Sequence, residues 1–133
     1  MPAFCFIDEV VEVKKGESLT AFYTLTGDEE FLKDHFEEFP VMPGVLLIES
    51  VKQAAIALTR LSLEKQSQDY RLSSVEEARF GQFVKPGSKL KIFVRWIKKE
   101  PKLNTFESRI DLLNEPFGRV LMADLSLVPV HAI

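Results

Sequence analysis

PGVLLIESVKQAAIALTRLSLEK, residues 43–65, is the longest segment of the chain with a helical pattern of apolar residues. At about 100° per residue the apolar positions form one broad stripe, which consists of Leu47, Ile48, Val51, Ala54, Ala55 and Leu58. The opposite arc is mixed, with Glu49, Ser50, Lys52, Gln53, Val45 and Ile56. This pattern indicates a helix that is covered on both sides, and another subunit is one candidate for the second cover.

Strand patterns lie on both sides of this helix. Residues 4–13 and 18–26 precede it, are rich in β-branched and aromatic residues, and are separated by a Lys-Lys-Gly turn. Residues 71–80, 89–99, 105–113 and 119–130 follow it, and charged and apolar residues alternate along Lys89–Trp96, as in a half-buried strand. The order predicts an α+β fold in which a curved antiparallel sheet packs around one long helix.

Length and composition predict a single domain over residues 1–133, since 133 residues with 46% hydrophobic residues are enough to form one core. No apolar run approaches the ~18 residues of a membrane-spanning helix, and the N-terminal residues are acidic. We therefore expect a cytoplasmic protein. Cys5 is the only cysteine, which excludes a disulfide within the chain, and no Cys/His cluster has metal-ligand spacing.

The net charge of −3 conceals an uneven distribution. Residues 1–50 hold 3 basic and 11 acidic residues, whereas residues 79–102 hold 8 basic residues and one acidic residue. The basic stretch is either a solvated strand face or a docking surface for an anionic partner. A nucleic acid fits less well, because the pI is about 5.5 and no nucleic-acid motif accompanies the stretch.

The segment DHFEEFPVMPGVLLIESVKQAA, residues 34–55, contains a candidate general acid. Glu49 lies among apolar helix residues, and Gln53 follows it by one turn, within hydrogen-bonding reach of its carboxyl group. Burial of a carboxyl group favours the protonated form that a general acid requires. The alternative is a glutamate on a solvated helix face, which is the commonest position for this residue type.

The same segment contains a candidate base and a candidate oxyanion site. His35 precedes the helix, and the chain's other histidine, His131, lies in the C-terminal tail. Pro43 suits the first turn of a helix, and the N–H of Gly44 lies at the positive end of the helix dipole. Such an N–H stabilises the enolate-like charge that forms when a thioester loses its α-proton. The alternative is an ordinary helix start without a ligand.

This segment resembles the active-site segment of the hotdog-fold 3-hydroxyacyl-acyl carrier protein dehydratases. The family pattern is a His-Phe-Pro-Gly step, a short Pro-containing loop, Pro-Gly-Val, and a Glu with a Gln four residues later. The chain matches it at His35, Phe36, Pro40, Pro43, Gly44, Val45, Glu49 and Gln53. FGQFVKPGSKL, residues 80–90, also resembles the Pro-Gly strand entry of the family.

The resemblance implies a hotdog fold and a plain dehydratase, because the related branch that also isomerises the double bond carries Asp at the Glu position. It implies that His35 removes the α-proton, that Glu49 protonates the leaving hydroxyl group, and that the N–H of Gly44 holds the carbonyl group. It also implies substrate-binding roles for Phe36, Val45 and Gln53.

The resemblance further implies a homodimer or a trimer of dimers, with each site shared between two subunits. The substrate would be carried on the phosphopantetheine of acyl carrier protein, without a cofactor, a metal, a nucleic acid or a membrane as partner.

Two departures from the family pattern concern the same site. Glu37-Glu38 replaces the family's Pro-Gly, and Lys52 replaces a small residue. If Lys52 pairs with Glu49, it favours the carboxylate and weakens Glu49 as an acid. Two other functions therefore stay open: an acyl thioesterase, which on this fold uses a carboxylate on the same helix, and a non-catalytic acyl- or carrier-binding subunit.

Overall fold

A computed structural model describes residues 5–26, 41–63 and 68–130 of the chain. The described part contains six strands and one long helix. In chain order they are β1 (Glu9–Lys14), β2 (Ser18–Thr24), α1 (Gly44–Leu63), β3 (Asp69–Phe80), β4 (Lys89–Glu100), β5 (Leu103–Leu112) and β6 (Gly118–Val130).

The six strands form one sheet in the order β1-β2-β4-β5-β6-β3, and every neighbouring pair is antiparallel. β3 follows the helix in the chain but lies at the far edge of the sheet, beside β6. The α+β prediction is confirmed, because one long helix packs against this antiparallel sheet.

The alternation of charged and apolar residues along β4 places the apolar residues on the helix side of the sheet, as predicted. Leu90, Ile92 and Val94 are completely buried on the helix side, whereas Lys89 and Arg95 are exposed on the other side. Because successive strand residues point to opposite faces, the charged residues lie on the outer surface of the sheet.

The helix contacts β2, β3, β4, β5 and β6. Five adjacent strands span about 19 Å at 4.8 Å per strand, whereas a helix with its side chains is only about 10–12 Å wide. A sheet that curves around the helix brings all five strands within reach of it. The sheet curves around α1, as predicted, and the core lies between the helix and the concave face of the sheet.

Two polar residues of the helix lie in the core. Ser50, which we assigned to the mixed arc, is completely buried, and so is Thr59. The hydroxyl of Ser50 donates to the carbonyl of Leu46 at 3.1 Å, and that of Thr59 donates to the carbonyl of Ala55 at 2.8 Å. A hydroxyl group that bonds one turn back along its own helix is satisfied without water, so both positions tolerate burial.

The predicted first strand, residues 4–13, was wrong at its beginning. β1 starts at Glu9, and the carboxylate of Asp8 accepts a hydrogen bond from the Thr24 N–H at 2.7 Å. The chain just before Asp8 leaves the sheet, and the completely buried Phe6 packs edge-on against Tyr23. Because the chain before Asp8 leaves the sheet, it lies next to the candidate site, where the N–H of Phe6 bonds to Gln53.

Candidate active site at the start of the helix

The helix starts where the Pro-Gly step predicts. The carbonyl of Pro43 accepts hydrogen bonds from the N–H groups of Leu46 and Leu47, at 3.0 and 3.2 Å. Gly44 is therefore the first helical residue, and its N–H has no acceptor within the helix. This geometry leaves a donor at the positive end of the helix dipole, as the oxyanion prediction requires.

The ring of Phe80 packs against the side of Gly44 where a side chain would project. A Cβ placed on Gly44 would lie 3.0 Å from Cε1 of Phe80. Phe80 is 55% exposed and ends β3, where it pairs with the buried Leu121 and faces the helix. The glycine is thus needed for close approach to an aromatic ring, a reason that sequence analysis did not identify.

The segment that follows Phe80 is held from two sides. The N–H of Gly81 donates to the carbonyl of Val120 at 2.9 Å, and the N–H of Met42 donates to the carbonyl of Val84 at 2.9 Å. These bonds tie the end of β3 both to β6 and to the residues that enter the helix. Backbone hydrogen bonds to β6 and to the residues before the helix therefore hold the segment that carries Phe80.

Glu49 lies in the second turn of α1 and interacts with two side chains of the same helix. One carboxyl oxygen is 3.5 Å from the ammonium group of Lys52, and the other is 3.5 Å from the amide nitrogen of Gln53. The Glu49 side chain is 35% exposed. The pairing with Gln53 was predicted, and the ion pair with Lys52 is the one considered above as a departure from the family.

Gln53 is oriented by the N-terminal segment. Its amide oxygen accepts a hydrogen bond from the N–H of Phe6 at 2.8 Å. Because only the oxygen of an amide group can accept, this bond turns the NH₂ group towards Glu49. Phe6 is buried against Tyr23. The hydrogen bonds from Phe6 to Gln53 and from Gln53 to Glu49 therefore connect the Glu49 carboxyl group to the core.

The surroundings of Glu49 are less apolar than predicted. Ile48 is half-buried, Val45 one turn earlier is 74% exposed, and Lys52 supplies a positive charge. Within the described residues, therefore, the carboxyl group lies on an open helix face. His35 and Phe36, together with Pro40 and Glu37-Glu38, lie outside the described residues.

The basic residues of the stretch 79–102 extend from one end of the sheet to the other. Lys85 and Lys89 lie at the end of the sheet near the helix start, since Val84 bonds to Met42. Lys99 lies at the other end, where it lines a cavity together with Leu63, the last residue of the helix. Along a 12-residue strand these ends are about 36 Å apart. The docking surface for an anionic partner stays a prediction, and its basic residues are spread along the whole length of β4.

The described part of the chain lacks a cluster of metal-ligating side chains. No group of three or more His, Cys, Asp or Glu side chains there is arranged to hold a metal ion. Within the same residues, no helix is long and apolar enough to cross a membrane.

Comparison with known proteins identifies the family. Residues 1–115 match the FabA-like domain. The chain belongs to the FabA-like domain family. Two curated relatives are named 3-hydroxyacyl-acyl carrier protein dehydratase FabZ. That of Levilactobacillus brevis is 40% identical over 100 residues, covering 75% of this chain and 68% of the relative. That of Pediococcus pentosaceus is 42% identical over 103 residues, covering 77% and 69%.

A solved structure supports the fold of this FabA-like domain. A chain of the dehydratase heterocomplex ApeI:P from Xenorhabdus doucetiae aligns with a TM-score of 0.79 and 18% identity. The alignment covers 98% of this chain and 86% of that chain. At this identity the likeness shows the fold alone, and the predicted hotdog fold is confirmed.

Proposed function

We propose that this chain dehydrates 3-hydroxyacyl thioesters carried on acyl carrier protein to trans-2-enoyl thioesters. The observation that carries the proposal is the similarity to dehydratases named FabZ at about 40% identity, over a region that includes the helix start and Glu49. The arrangement of Gly44, Glu49 and Gln53 on α1 is compatible with this reaction, because it offers an N–H donor and a positioned carboxyl group.

In the proposed reaction an imidazole nitrogen of His35 takes the proton from C2 of the substrate. The electron pair of the broken C2–H bond forms the double bond to C3. Glu49 gives its proton to the hydroxyl group on C3, which leaves as water. The N–H of Gly44 donates to the thioester carbonyl oxygen, where negative charge develops as the C2–H bond breaks.

The positions of Gly44 and Glu49 on the helix favour a site shared between two subunits. The N–H of Gly44 points along the helix axis at its start, whereas the carboxyl group of Glu49 projects from the side of α1 in its second turn. A substrate contacts both kinds of group more readily if one chain supplies Gly44 and a second chain supplies Glu49. A homodimer, alone or within a trimer of dimers, is part of the proposal.

Acyl carrier protein is the proposed partner, with the substrate held on its phosphopantetheine arm. Lys85 and Lys89 are the basic residues of the 79–102 stretch whose position near the helix start suits such docking. Phe36 and Val45 are proposed to contact the substrate, and Val45 is accessible for this at 74% exposure. We place the reaction in the cytoplasm as part of the same proposal.

The test is the reverse reaction, hydration of a short trans-2-enoyl thioester, followed by loss of the enoyl absorbance. We expect the wild type to be active and His35→Ala and Glu49→Gln to lose activity by a factor of about 10²–10⁴, the usual contribution of general acid–base catalysis. Glu9→Gln is the matched control, since it removes an exposed carboxylate from β1 and should leave the rate unchanged.

Two results would contradict the proposal. A folded wild-type protein that hydrates neither carrier-protein nor coenzyme A thioesters would exclude the dehydratase activity. Release of free thiol from a saturated acyl thioester, without hydration of the enoyl compound, would instead identify a thioesterase.

A further inference from the structure

The cavity lined by Lys99 and Leu63 lies at the opposite end of the helix from Gly44. It has a volume of about 510 Å³, within the range of about 300–1,000 Å³ that small-molecule sites occupy. Its wall includes Leu63, Tyr70, Trp96, Lys99, Asn104 and Pro129. Leu63 follows Glu49 by fourteen positions on the helix, which corresponds to about 21 Å. The cavity is therefore distinct from the candidate active site.

A β-bulge turns a lysine into this cavity. Regular alternation along β4 would put Lys99 on the outer face with Lys89 and Arg95. The register between β4 and β5 shifts between Trp96 and Lys98, so that Lys99 pairs with Asn104. Asn104 faces the helix side, and Lys99 now shares that face. Its ammonium group lies 4.9 Å from the centre of the Trp96 ring. Bulges that redirect a side chain in this way are common beside functional sites.

Two polar side chains face the cavity from largely buried positions. Asn104 is 7% exposed and Tyr70 is 8% exposed. Among the residues that the structure describes, the Asn104 amide and the Tyr70 hydroxyl make no hydrogen bond, and neither polar group is sealed from solvent. Burial raises the pKa of Tyr70, an effect that Arg60 opposes, so the hydroxyl remains a donor at neutral pH. Polar groups in this situation bond either to water or to a ligand.

The charges around this end of the sheet are mostly positive, although Glu100 lines the cavity beside Lys99. Lys98, Lys99 and Lys102 lie on or beside the β4–β5 hairpin, and Lys14 ends β1 next to the turn where a Cβ on Gly16 would lie 2.9 Å from the ammonium group of Lys99. Glu17 and Glu100 are the acidic residues on the same two turns. In a chain with a net charge of −3, this excess of cations favours an anionic ligand.

We infer that this cavity binds a small carboxylate with an apolar body. Trp96, Leu63 and Pro129 contact the body, and Lys99 pairs with the carboxylate. The Asn104 amide and the Tyr70 hydroxyl donate hydrogen bonds to it. The inference does not depend on the proposed dehydration, because none of these residues takes part in it.

Trp96 provides a direct test, because it is the only tryptophan of the chain and lines the cavity. Octanoate and 3-phenylpropanoate are titrated into the full-length protein while tryptophan fluorescence is recorded. We expect a saturable change in fluorescence with at least one of the two acids. Tighter binding of octanoate would indicate that the ligand has an alkyl body, and tighter binding of 3-phenylpropanoate that it has an aromatic body. Octan-1-ol, which lacks the charge, should bind at least about tenfold more weakly than octanoate.

Variants separate this site from other binding. Lys99→Gln should weaken binding by about tenfold or more. The matched control, Lys91→Gln, removes the same charge from the outer face of the same strand and should have no effect. Glu49→Gln should also bind normally. Circular dichroism confirms that each variant is folded.

Several outcomes would overturn the inference. These are the absence of a saturable change up to the solubility limit of both acids, equal binding of octan-1-ol, and unaltered binding by Lys99→Gln. Loss of binding in Glu49→Gln would also overturn it, since the ligand would then occupy the active site.

Discussion

At the scale of single residues, the ion pair between Lys52 and Glu49 separates this chain from the family pattern. The two groups are 3.5 Å apart, and both side chains are partly exposed. Exposed ion pairs contribute about 0.2–1 kcal/mol, far less than the desolvation of a buried carboxyl group. An ion pair of this strength is too weak to prevent Glu49 from acting as the proposed acid, and we expect it only to modulate that role.

Replacement of Lys52 tests this modulation. If Glu49 acts as the acid, Lys52→Gln frees its carboxyl group from the ion pair, and kcat/KM of hydration should rise by about 1.5–5-fold. Lys52→Arg keeps the charge and should behave like the wild type. An unchanged kcat/KM in Lys52→Gln would refute the modulation.

The contact between Gly44 and Phe80 leads to a second prediction. Gly44→Ala adds a Cβ that lies 3.0 Å from the ring, which is too close. Phe80 is exposed and able to move, and Ala is the better helix former by about 1 kcal/mol. We therefore expect the free energy of unfolding to change by less than about 1 kcal/mol, while hydration activity falls because the ring is displaced over the helix start.

Phe80→Ala supplies the control. In the Phe80→Ala variant the Cβ that Gly44→Ala adds contacts no aromatic ring, so Gly44→Ala should stabilise the protein by about 0.5–1 kcal/mol. A double-mutant cycle from urea denaturation measures the coupling between the two positions. A coupling energy of zero would show that the two residues do not interact.

At the scale of secondary-structure elements, the outer face of the sheet contains a row of like charges. Asp124 of β6 lies directly opposite Glu107 of β5 and Glu76 of β3. Burial raises the pKa of Asp124 above its usual value of 3.8, and the carboxylates of Glu107, Glu77 and Glu76 add to this. Since the folded protein holds this proton more tightly than the unfolded chain, ionisation of Asp124 destabilises the fold as the pH rises.

Asp124→Asn should therefore stabilise the protein at neutral pH, by about 0.5–1 kcal/mol, the range for like charges directly opposite in a sheet. The gain should disappear below about pH 4, where the carboxyl group is protonated in both states. Urea denaturation at pH 7 and at pH 3.5 measures both values. An equal gain at the two pH values would show that charge repulsion is not its cause.

At the scale of the whole molecule, one edge of the sheet and the helix start together present an apolar surface. β3 is an edge strand, and Val45, Phe80 and Phe83 near its end are 74%, 55% and 65% exposed. Exposed apolar groups beside an open strand edge mark an interaction surface. This surface is our candidate for the dimer contact that the shared site requires.

Val45→Asp should therefore shift the protein towards the monomer, weakening dimerisation by more than about tenfold, and should abolish hydration activity. Val10→Asp is the matched control, because Val10 is exposed on the opposite edge strand, β1. Analytical ultracentrifugation measures the association. An active Val45→Asp monomer would exclude the shared site.

The sequence by itself determined the features that depend on local periodicity. The α+β order, the long helix with its start at Pro43-Gly44, and the contact between Glu49 and Gln53 one turn apart were all predicted. These features follow from repeats of 3.6 and 2 residues, which backbone geometry sets within each segment. His35 is part of the same predicted site but stays a prediction, because it lies outside the described residues.

Only the tertiary structure decided which distant segments meet. The contact of Phe80 with Gly44, the bond from Phe6 to Gln53, and the separation of the basic stretch onto two ends of the sheet all depend on strand order and loop paths. The bulge that turns Lys99 towards Asn104 is a further example. Strand register is set by long-range pairing, and a shift of one residue moves a side chain to the opposite face, which no local pattern in the sequence reveals.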